Sequence, residues 1–546
     1  MEFNIKINNN NVKVTKGETI LSVLKRIGIA IPTLCNMPEL TPTGACRLCV
    51  VELENNHTLV TACSSPVSEG MKILTHSQKV ISARKTIAEL LLTNHPENCL
   101  YCDKSGNCEL QQLAENLNIR ERTFVGEKNM SKSDRSSPGI VRDMSKCILC
   151  GRCVRICEEM LQISAIDLVN RGKNSNIETV FQRGLFYSNC IHCGFCITAC
   201  PTGAILEKTN IPQIVEKLNY SDKSINIIIS GSTIASLATY FNVKRYEDAR
   251  NYLVAALHDV GFKNVMTLSL GNDIFVHEIS SIILERLNNH NEPLIISDCP
   301  SVKKYIKTEL PEFQKYLPKV PTPQQILGKI LKFDNDPQND ILVSVASCVA
   351  HKYEAIQSNN TQKGVPDIDY VITTKELLKL LKTHGIILPY SKKETPDKPS
   401  NSDSSGGVLL ETKGGISEAI IRELYLKSGI NNNTKKIPEL KSDKQFIEYE
   451  FALGNKKYTI ASINNVDTLR CKQHEILNNK YLFVEVRACN FGCIYGCGHI
   501  QCNDVENYKK LKKNILEFDE KTNSDTAGKN PFIKGYYKEK GIERLF

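Results

Sequence analysis

The sequence predicts a multidomain chain of two textures: an α+β N-terminal part built around cysteine-rich loops, then a longer α/β part. Fifteen of the 22 cysteines fall in the first 200 residues, in regularly spaced groups. Beyond residue 210, short apolar runs of buried-strand length alternate with helical stretches, the pattern of α/β domains with parallel sheets. At 546 residues the chain has room for three or more domains, each with its own core.

The first element, KINNNNVKV, reads as a strand; a turn at Gly17 and the helical ETILSVLKRIGI follow. Cys35, Cys46, Cys49 and Cys63 come next, spaced C-x10-C-x2-C-x13-C. This segment, residues 1–77, resembles a [2Fe–2S] ferredoxin domain of the β-grasp type, in which a loop wraps the cluster and a distant cysteine closes it. The apolar helix KVISARKTIAELLL opens a second segment, 78–135, and precedes His95, Cys99, Cys102 and Cys108. One histidine and three cysteines can hold a [4Fe–4S] cluster, and a structural zinc ion is the rival occupant. A third segment, 136–212, carries two C-x2-C-x2-C-x3-C runs, Cys147, Cys150, Cys153, Cys157 and Cys190, Cys193, Cys196, Cys200, the second followed by Pro201. In two-cluster ferredoxins the fourth cysteine of each run crosses to the other cluster. One [4Fe–4S] is therefore assigned to Cys147, Cys150, Cys153 and Cys200, the other to Cys190, Cys193, Cys196 and Cys157. A disulfide framework belongs to small secreted chains, and this long chain starts with the polar MEFNIKINNN.

In the fourth segment, 213–500, INIIIS, NVMTLSL, PLIIS, ILVSVAS and YLFVEVRA are the expected strands and VHEISSIILERL a typical helix. SKKETPDKPSNSDSSGG (391–407) reads as an exposed loop. Three strands end in cysteine, at Cys299, at Cys348, and at Cys489 with Cys493. Ligands of open α/β sheets sit beyond the carboxyl ends of strands, so these four could share one more [4Fe–4S] cluster.

Composition narrows the function classes. The residues are 41% hydrophobic and 24% charged, with no apolar run long enough to span a membrane. The net charge of +9 comes without an aromatic-interleaved basic motif, so KKLKK (509–513) reads as a solvated helix face and nucleic acid is not an expected partner. A basic surface suits an acidic electron carrier such as a ferredoxin. Thiolate-held clusters place the protein in a reducing cytoplasm.

The order of these motifs carries a specific resemblance. Four N-terminal cluster groups, then Cys299-Pro300, then C-x-x-x-K-x-E at Cys348, Lys352 and Glu354, then E-x-x-x-C-x3-C at Glu485, Cys489 and Cys493, resemble the modular large chain of iron-only hydrogenases. PEF, TPQQILG (322–328), GGISEA (414–419) and the NPFIKGYY of a small-subunit-like tail (501–546) extend the likeness over nearly the whole chain. The N-terminal third is also similar to the iron–sulfur subunit of respiratory complex I. The resemblance implies a two-lobed α/β hydrogenase-like domain holding a [4Fe–4S] cluster on Cys299, Cys348, Cys489 and Cys493. Cys493 would bridge it to a di-iron unit with CO and cyanide ligands, together the H-cluster. It implies cofactor contacts from Gln324 and Lys352, in addition to one [2Fe–2S] and three accessory [4Fe–4S] clusters. Ferredoxin or NAD(P)H-linked electron-transfer subunits would be the partners.

Three positions depart from the family pattern. Asp298 stands where the family has a proton-transferring cysteine, and a carboxyl group in an apolar pocket can take that role. The competing reading is an Asp that caps the following helix. His351 occupies the position of a lysine that grips a cyanide ligand, and Arg487 replaces a methionine. Arg487 is the expected charged anchor of the di-iron unit, since arginine stays charged where histidine is only partly protonated. A salt bridge from Arg487 to Glu485 or Glu354 is the alternative. Cys497 is an additional thiol, and neither it nor Cys471 and Cys502 has an assigned role. Two classes of function follow: a hydrogenase with Asp298, Glu354, His351 and Arg487 in its catalytic pocket, or a redox or hydrogen sensor or electron-transfer subunit without di-iron.

Overall fold

The structure is a computed structural model. It describes residues 1–546 except 122, 129–131, 288–291, 335–337, 358–360, 363, 400–403, 431–438, 444, 479–480, 501–504, 523, 534 and 536–546. Cys502, residues 400–403 of the expected loop, and Lys534, Tyr536 and Tyr537 of NPFIKGYY lie outside the described residues. The chain divides into two compact units, Met1–Cys190 with Phe195–Glu207, and Ile191–Gly194 with Lys208–Phe546.

In the first unit the expected single strand KINNNNVKV is a hairpin. Asn8 and Asn9 take φ of 47° and 69°, which asparagine tolerates best among residues with a Cβ. They turn Glu2–Ile7 back antiparallel onto Asn10–Thr15. These two strands continue into a five-stranded sheet through Lys72–Leu74, Val50–Leu53 and Thr58–Thr61. Thr19 starts the helix Ile20–Arg26 by accepting a hydrogen bond from Ser22 N. Its Ile20, Val23 and Leu24 are buried with Ile5, Ile7 and Val14. The helix Gln78–Asn94 is capped by Ser77, whose hydroxyl accepts from Val80 N and donates to Glu52. It ends where His95 turns extended, so the helix delivers the histidine to the start of the second cysteine group.

The two ferredoxin-like runs repeat in backbone as well as in sequence. Leu149 and Gly151 in the first, and His192 and Gly194 in the second, all have positive φ at equivalent positions around the second cysteine. That conformation turns the two C-x2-C loops in the same way.

The second unit has two sheets. One is all parallel, in the order Asn264–Thr267, Ser224–Ile229, Asp340–Ala346, Tyr370–Thr373. The other is mixed: Ile295–Ile296, Val484–Arg487 and Lys456–Asn464 run parallel, while Phe446–Leu453 and Glu439–Ser442 are antiparallel additions. The expectation of parallel sheets therefore holds for one sheet and for half of the other. The hairpin FIEYEFALGNKKYTIASIN was missed although its alternation and Gly-Asn turn are hairpin signals. NVMTLSL is a strand only to Thr267, because the helix Ser269–Arg286 has already begun. The 391–407 loop also needs correcting at its end. Ser404 accepts from Gly407 N and caps a buried helix Ser405–Leu409, whose small residues let it pack closely beside Ser269 and Asp273. KKLKK lies on the helix Val505–Lys521 with Lys509, Lys510 and Lys513 exposed and Leu511 buried, as a solvated face requires. No helix among the described residues is long and apolar enough to cross a membrane.

Earlier in the segment, Glu394 and Asp397 are held by His258, whose Nδ1 meets Glu394 at 2.5 Å and Nε2 meets Asp397 at 2.9 Å. Burial alone would lower this histidine's pKa, but the two carboxylates outweigh it and the net shift is upward. A raised folded-state pKa gives a contribution present in full below the unfolded value of about 6.5 and lost as pH rises through the folded value. Limited proteolysis between residues 391 and 399 is expected to accelerate on going from pH 6 to pH 9. A His258→Gln variant should be cut at one rate across that range.

Candidate functional site

The first unit carries the cysteines of the first three groups and all of the fourth except Cys193. Cys35, Cys46, Cys49 and Cys63 are all buried and share hydrogen bonds. Contacts with Cys46 and Cys63 hold Cys35 well below the usual thiol range. A bond from Cys63 brings Cys49 to about 7, and Cys63 itself is pushed up by Cys35 and Cys49. Metal bound by these four thiols would displace their protons. Arg155, from the first ferredoxin-like run, donates to Cys35 O and Thr41 O at 2.5 Å and fixes the loop around them.

A second cavity of this unit is lined by Cys147, Cys150, Cys153 and Cys200 with Ile148, Ile177 and Ile205. These are the four residues that the crossing rule groups together, in an apolar surround suited to a cluster. Burial pushes Cys147 up to about 11 and Cys150 up to about 12. Cys157 accepts from Ala165 N at 3.4 Å and belongs to the first unit with Cys190 and Cys196, whereas Cys193 sits in the loop that folds with the second unit. In the His95 group, Cys108 is buried, Cys102 half-buried and Cys99 exposed.

In the second unit, Cys299, Cys348, Cys489 and Cys493 line one cavity, joined by Cys193, His351, Arg487 and Gly496. Each C-terminal cysteine follows a strand: Ile295–Ile296, Asp340–Ala346 and Val484–Arg487. Two glycines make the closing loop possible. Gly492 has φ of 81° and packs on Thr412 and Lys413, where a Cβ would lie 2.7 Å from Lys413 N. At Gly496 a Cβ would lie 2.5 Å from Ser347 O, so only glycine lets the Cys493 loop approach Cys348 this closely. Burial raises all four thiols, Cys348, Cys489 and Cys493 especially far; neighbouring thiols add to it for those three and Asp298 for Cys299. Cys497 is a further thiol here, buried, contributing to the upward shift of Cys348 and packed on Gly194. Cys471 is exposed at the end of the helix Val466–Cys471.

An adjoining cavity is lined by Ser230, Asn272, Asp298, Gln324, His351, Glu411 and Cys493. Cys493 is the one candidate ligand common to both cavities. Asp298 accepts no hydrogen bond from the helix Pro300–Glu309, whose N-cap is Cys299 without a side-chain bond, so the capping reading fails. Its Oδ2 instead accepts from Arg487 at 2.7 Å, while Oδ1 is buried without a hydrogen-bond partner. Arg487, 1% exposed, also donates to Thr412 O and lies 3.8 Å from Glu485. Burial opposes its charge, and Asp298, Cys493 and Glu485 more than restore it. The partner of Arg487 is thus Asp298, with Glu485 second; Glu354 is not involved.

Glu354 is buried behind the cavity, accepting from Thr322 Oγ1 at 2.8 Å and Gln324 Nε2 at 3.3 Å and holding His351 Nδ1 at 3.2 Å. Burial alone would lower the pKa of His351, but Glu354 reverses the shift and raises it. Gln324 is oriented by Ser344, which donates to its Oε1 at 2.7 Å. Lys352 must be corrected: it lines neither cavity. Its ammonium bonds Glu376 and Lys208 O, both at 2.6 Å, because Glu376, the capping-box residue of the helix Thr374–Thr383, is a buried carboxylate that needs a cation.

Glu411 was not anticipated. Its carboxylate accepts from Gly231 N at 3.1 Å and Ser232 N at 3.3 Å, at the N-terminus of the helix Gly231–Tyr240. Burial raises its pKa, and the bonds from Ser232 and the charge of Arg487 oppose that. The signal available in sequence was an acid inside the apolar run VLLETKGG.

The donor set can be tested against the groups it is expected to hold. Four sulfurs around an enclosed space fit a cubane cluster. The second cavity fits a unit joined through Cys493, with an unpartnered carboxyl oxygen on its wall and His351, Ser230, Asn272 and Gln324 as polar neighbours.

Profiles of known families cover both units. Residues 223–497 match "Iron only hydrogenase large subunit, C-terminal domain". Residues 1–78 match a 2Fe-2S iron-sulfur cluster binding domain, 84–123 the NADH-ubiquinone oxidoreductase-G iron-sulfur binding region, and 146–204 a 4Fe-4S dicluster domain. The NADP-reducing hydrogenase subunit HndD of Solidesulfovibrio fructosivorans is 31% identical over 98% of this chain and 95% of its own length. Iron hydrogenase 1 of Clostridium pasteurianum is 30% identical over 94% and 92%. Among solved structures, apo [FeFe]-hydrogenase HydA1 of Chlamydomonas reinhardtii shares the fold with a TM-score of 0.53 at 22% identity, over 61% of this chain and 95% of that one.

Proposed function

Because the chain belongs to the iron-only hydrogenase large-subunit family, we propose that it interconverts protons, electrons and hydrogen at Cys493, with electrons relayed through its N-terminal clusters. It is a hydrogenase with iron–sulfur cofactors, and NAD(P)H-linked electron-transfer proteins are its class of partner. The observation that carries the reading is the sharing of Cys493 between a four-cysteine cavity and a second cavity walled by Asp298.

The cofactors are one [2Fe–2S] on Cys35, Cys46, Cys49 and Cys63, and three accessory [4Fe–4S] clusters on the His95 group and the two crossed ferredoxin runs. A fourth [4Fe–4S] would be held by Cys299, Cys348, Cys489 and Cys493, and Cys493, which lines both cavities, would be the residue shared with a di-iron unit. When bound, that unit supplies the metal chemistry of hydrogen; the chain supplies wiring, proton transfer and a dry pocket. Asp298 carries the proton, since Arg487 fixes one of its oxygens and leaves the other without a protein partner. Arg487 anchors the unit by its charge, and His351, aligned by Glu354, presents its second ring nitrogen to the same cavity. The domains run 1–77, 78–135, 136–212, 213–500 and 501–546, the first of β-grasp type and the fourth two-lobed. The site of action is a reducing cytoplasm, with an acidic ferredoxin-like carrier as a further partner.

Infrared spectra of protein matured with the di-iron assembly machinery test the reading. Metal-bound CO and cyanide bands are expected; their complete absence leaves a redox or hydrogen sensor. Protein made without that machinery should hold about 18 iron atoms, one two-iron and four four-iron clusters. Cys150→Ser should remove one [4Fe–4S] signal in electron paramagnetic resonance and leave the [2Fe–2S] signal unchanged. Zinc at the His95 group would overturn that part of the assignment.

A further inference from the structure

Taking a guanidinium out of water is costly unless an anion goes with it, so a buried arginine points to its counter-charge. Six arginines are buried among the described residues: Arg84, Arg142, Arg152, Arg155, Arg422 and Arg487. Four of them hold a carboxylate. Arg142 meets Glu178 at 2.5 Å, Arg152 meets Glu109 at 2.7 Å, Arg422 meets Asp519 at 2.8 Å and Arg487 meets Asp298 at 2.7 Å. Arg84 and Arg155 have no carboxylate partner among the described residues. Arg84, 3% exposed, donates to Val50 O at 2.8 Å and leaves its Nε without a partner. Arg155 donates to Cys35 O and Thr41 O, and its Nε is likewise unpartnered. Glu159, one turn further along, gives its carboxylate to Thr41 N at 2.8 Å instead.

These two exceptions share a neighbour. Val50 follows Cys49, and Cys35 is itself a member of the first cysteine group, so both guanidiniums end at the loops that carry the four buried thiols. They arrive from different segments, Arg84 from the helix Gln78–Asn94 and Arg155 from the short helix Arg152–Arg155. Carbonyl oxygens fix the two side chains in place but supply only partial charge. The missing anion is the group that the thiols would hold. A [2Fe–2S] cluster on four thiolates is doubly negative with both irons ferric and triply negative once an electron is added.

We propose that Arg84 and Arg155 are the counter-ions of the [2Fe–2S] cluster, and that by favouring its more negative reduced state they make it the member of the relay on which an electron rests. The inference rests on the assignment of that cluster to Cys35, Cys46, Cys49 and Cys63. The step is a single electron transfer: a reduced [4Fe–4S] cluster of the relay loses one electron, one ferric iron of the [2Fe–2S] becomes ferrous, and no bond or proton moves. Two fixed positive charges in a buried setting lower the energy of the added electron with little screening by salt. Arginine suits the task because it stays protonated even where burial opposes its charge. A cluster poised in this way fills first and empties last, which keeps one electron in the protein between the two single-electron arrivals that H2 formation needs.

The test is an anaerobic redox titration of the full chain made without the di-iron machinery, followed by electron paramagnetic resonance. Wild type is compared with Arg84→Gln, Arg155→Gln and the matching Arg84→Lys and Arg155→Lys. As the potential is lowered, the wild-type [2Fe–2S] signal is expected before any [4Fe–4S] signal; its appearance after them overturns the resting role. At the wild-type midpoint each Gln variant should hold roughly tenfold less reduced relative to oxidised [2Fe–2S], a shift of about 59 mV to more negative potential. Each Lys variant, which keeps the charge, should stay near wild type. Unmoved midpoints in the Gln variants overturn the counter-ion role and leave both arginines as loop ties, since a tie alone sets no potential. Should a Gln variant lose the cluster, iron content decides: restoration by Lys supports the need for charge, and equal loss in Lys overturns it. Arg26→Gln, at a part-exposed arginine of the same domain paired with Glu18, is the control whose midpoint should match wild type. A wild-type preparation with no [2Fe–2S] signal at any potential strikes the cofactor assignment, a result distinct from a signal whose midpoint ignores the arginines.

Discussion

Replacing Asp298 with alanine is expected to abolish hydrogen turnover and to destabilise the C-terminal unit by about 3–5 kcal/mol, the usual effect of removing one partner of a buried ion pair. The carboxylate holds Arg487 at 2.7 Å, and without it the guanidinium keeps only Glu485 at 3.8 Å and one carbonyl. Stability and catalysis are thus joined in one side chain, and alanine cannot separate them. Asp298→Asn can, because the amide keeps an oxygen for Arg487 but does not titrate. It is expected to fold with a melting temperature near wild type and to lose turnover by roughly 10²–10⁴-fold, the range for a proton-transfer group. Turnover per folded molecule that survives in Asp298→Asn would refute the proton-carrier role.

Arg487→Met gives the second large effect. It installs the family's residue but leaves Asp298, Glu485 and Glu411 buried without the guanidinium that faces them. A loss of about 3–5 kcal/mol is expected by the same reasoning, along with loss of the di-iron infrared bands. Substituting both members, Asp298→Cys with Arg487→Met, removes the charge and its partner together. Replacing a whole buried pair is often neutral, so the double variant should be more stable than the sum of the singles by more than 1 kcal/mol. Additive losses, read from denaturant midpoints at constant slope, would show that the two side chains do not act as a pair.

That pairing marks the boundary of what could be read from the residues alone. Asp298 and Arg487 each stood out as departures from the family pattern, yet they lie 189 positions apart and nothing local connects them. Lys352 shows the same limit in reverse. Its motif position suggested the cofactor, and the buried carboxylate of Glu376, on another helix, claims it. Glu411 was passed over because an acid in an apolar run has no meaning until the helix N-terminus it faces is known.

The cluster groups, by contrast, were legible from spacing, because a metal cluster draws most of its ligands from a short loop and fixes how many residues can lie between them. The crossing of Cys200 to the first ferredoxin run came from that same regularity, and those four sulfurs line one cavity. Buried strands such as Ser224–Ile229 and Asp340–Ala346 declared themselves as apolar runs. The sequence by itself determined the order of redox modules, the candidate cysteine groups and the α/β character of the second unit, since all are encoded in short-range spacing and periodicity. Only the tertiary structure decided which buried charges answer one another around Cys493 and which cluster loop faces solvent. Desolvation makes every buried charge depend on partners from distant segments, and exposure is a property of what packs over a loop.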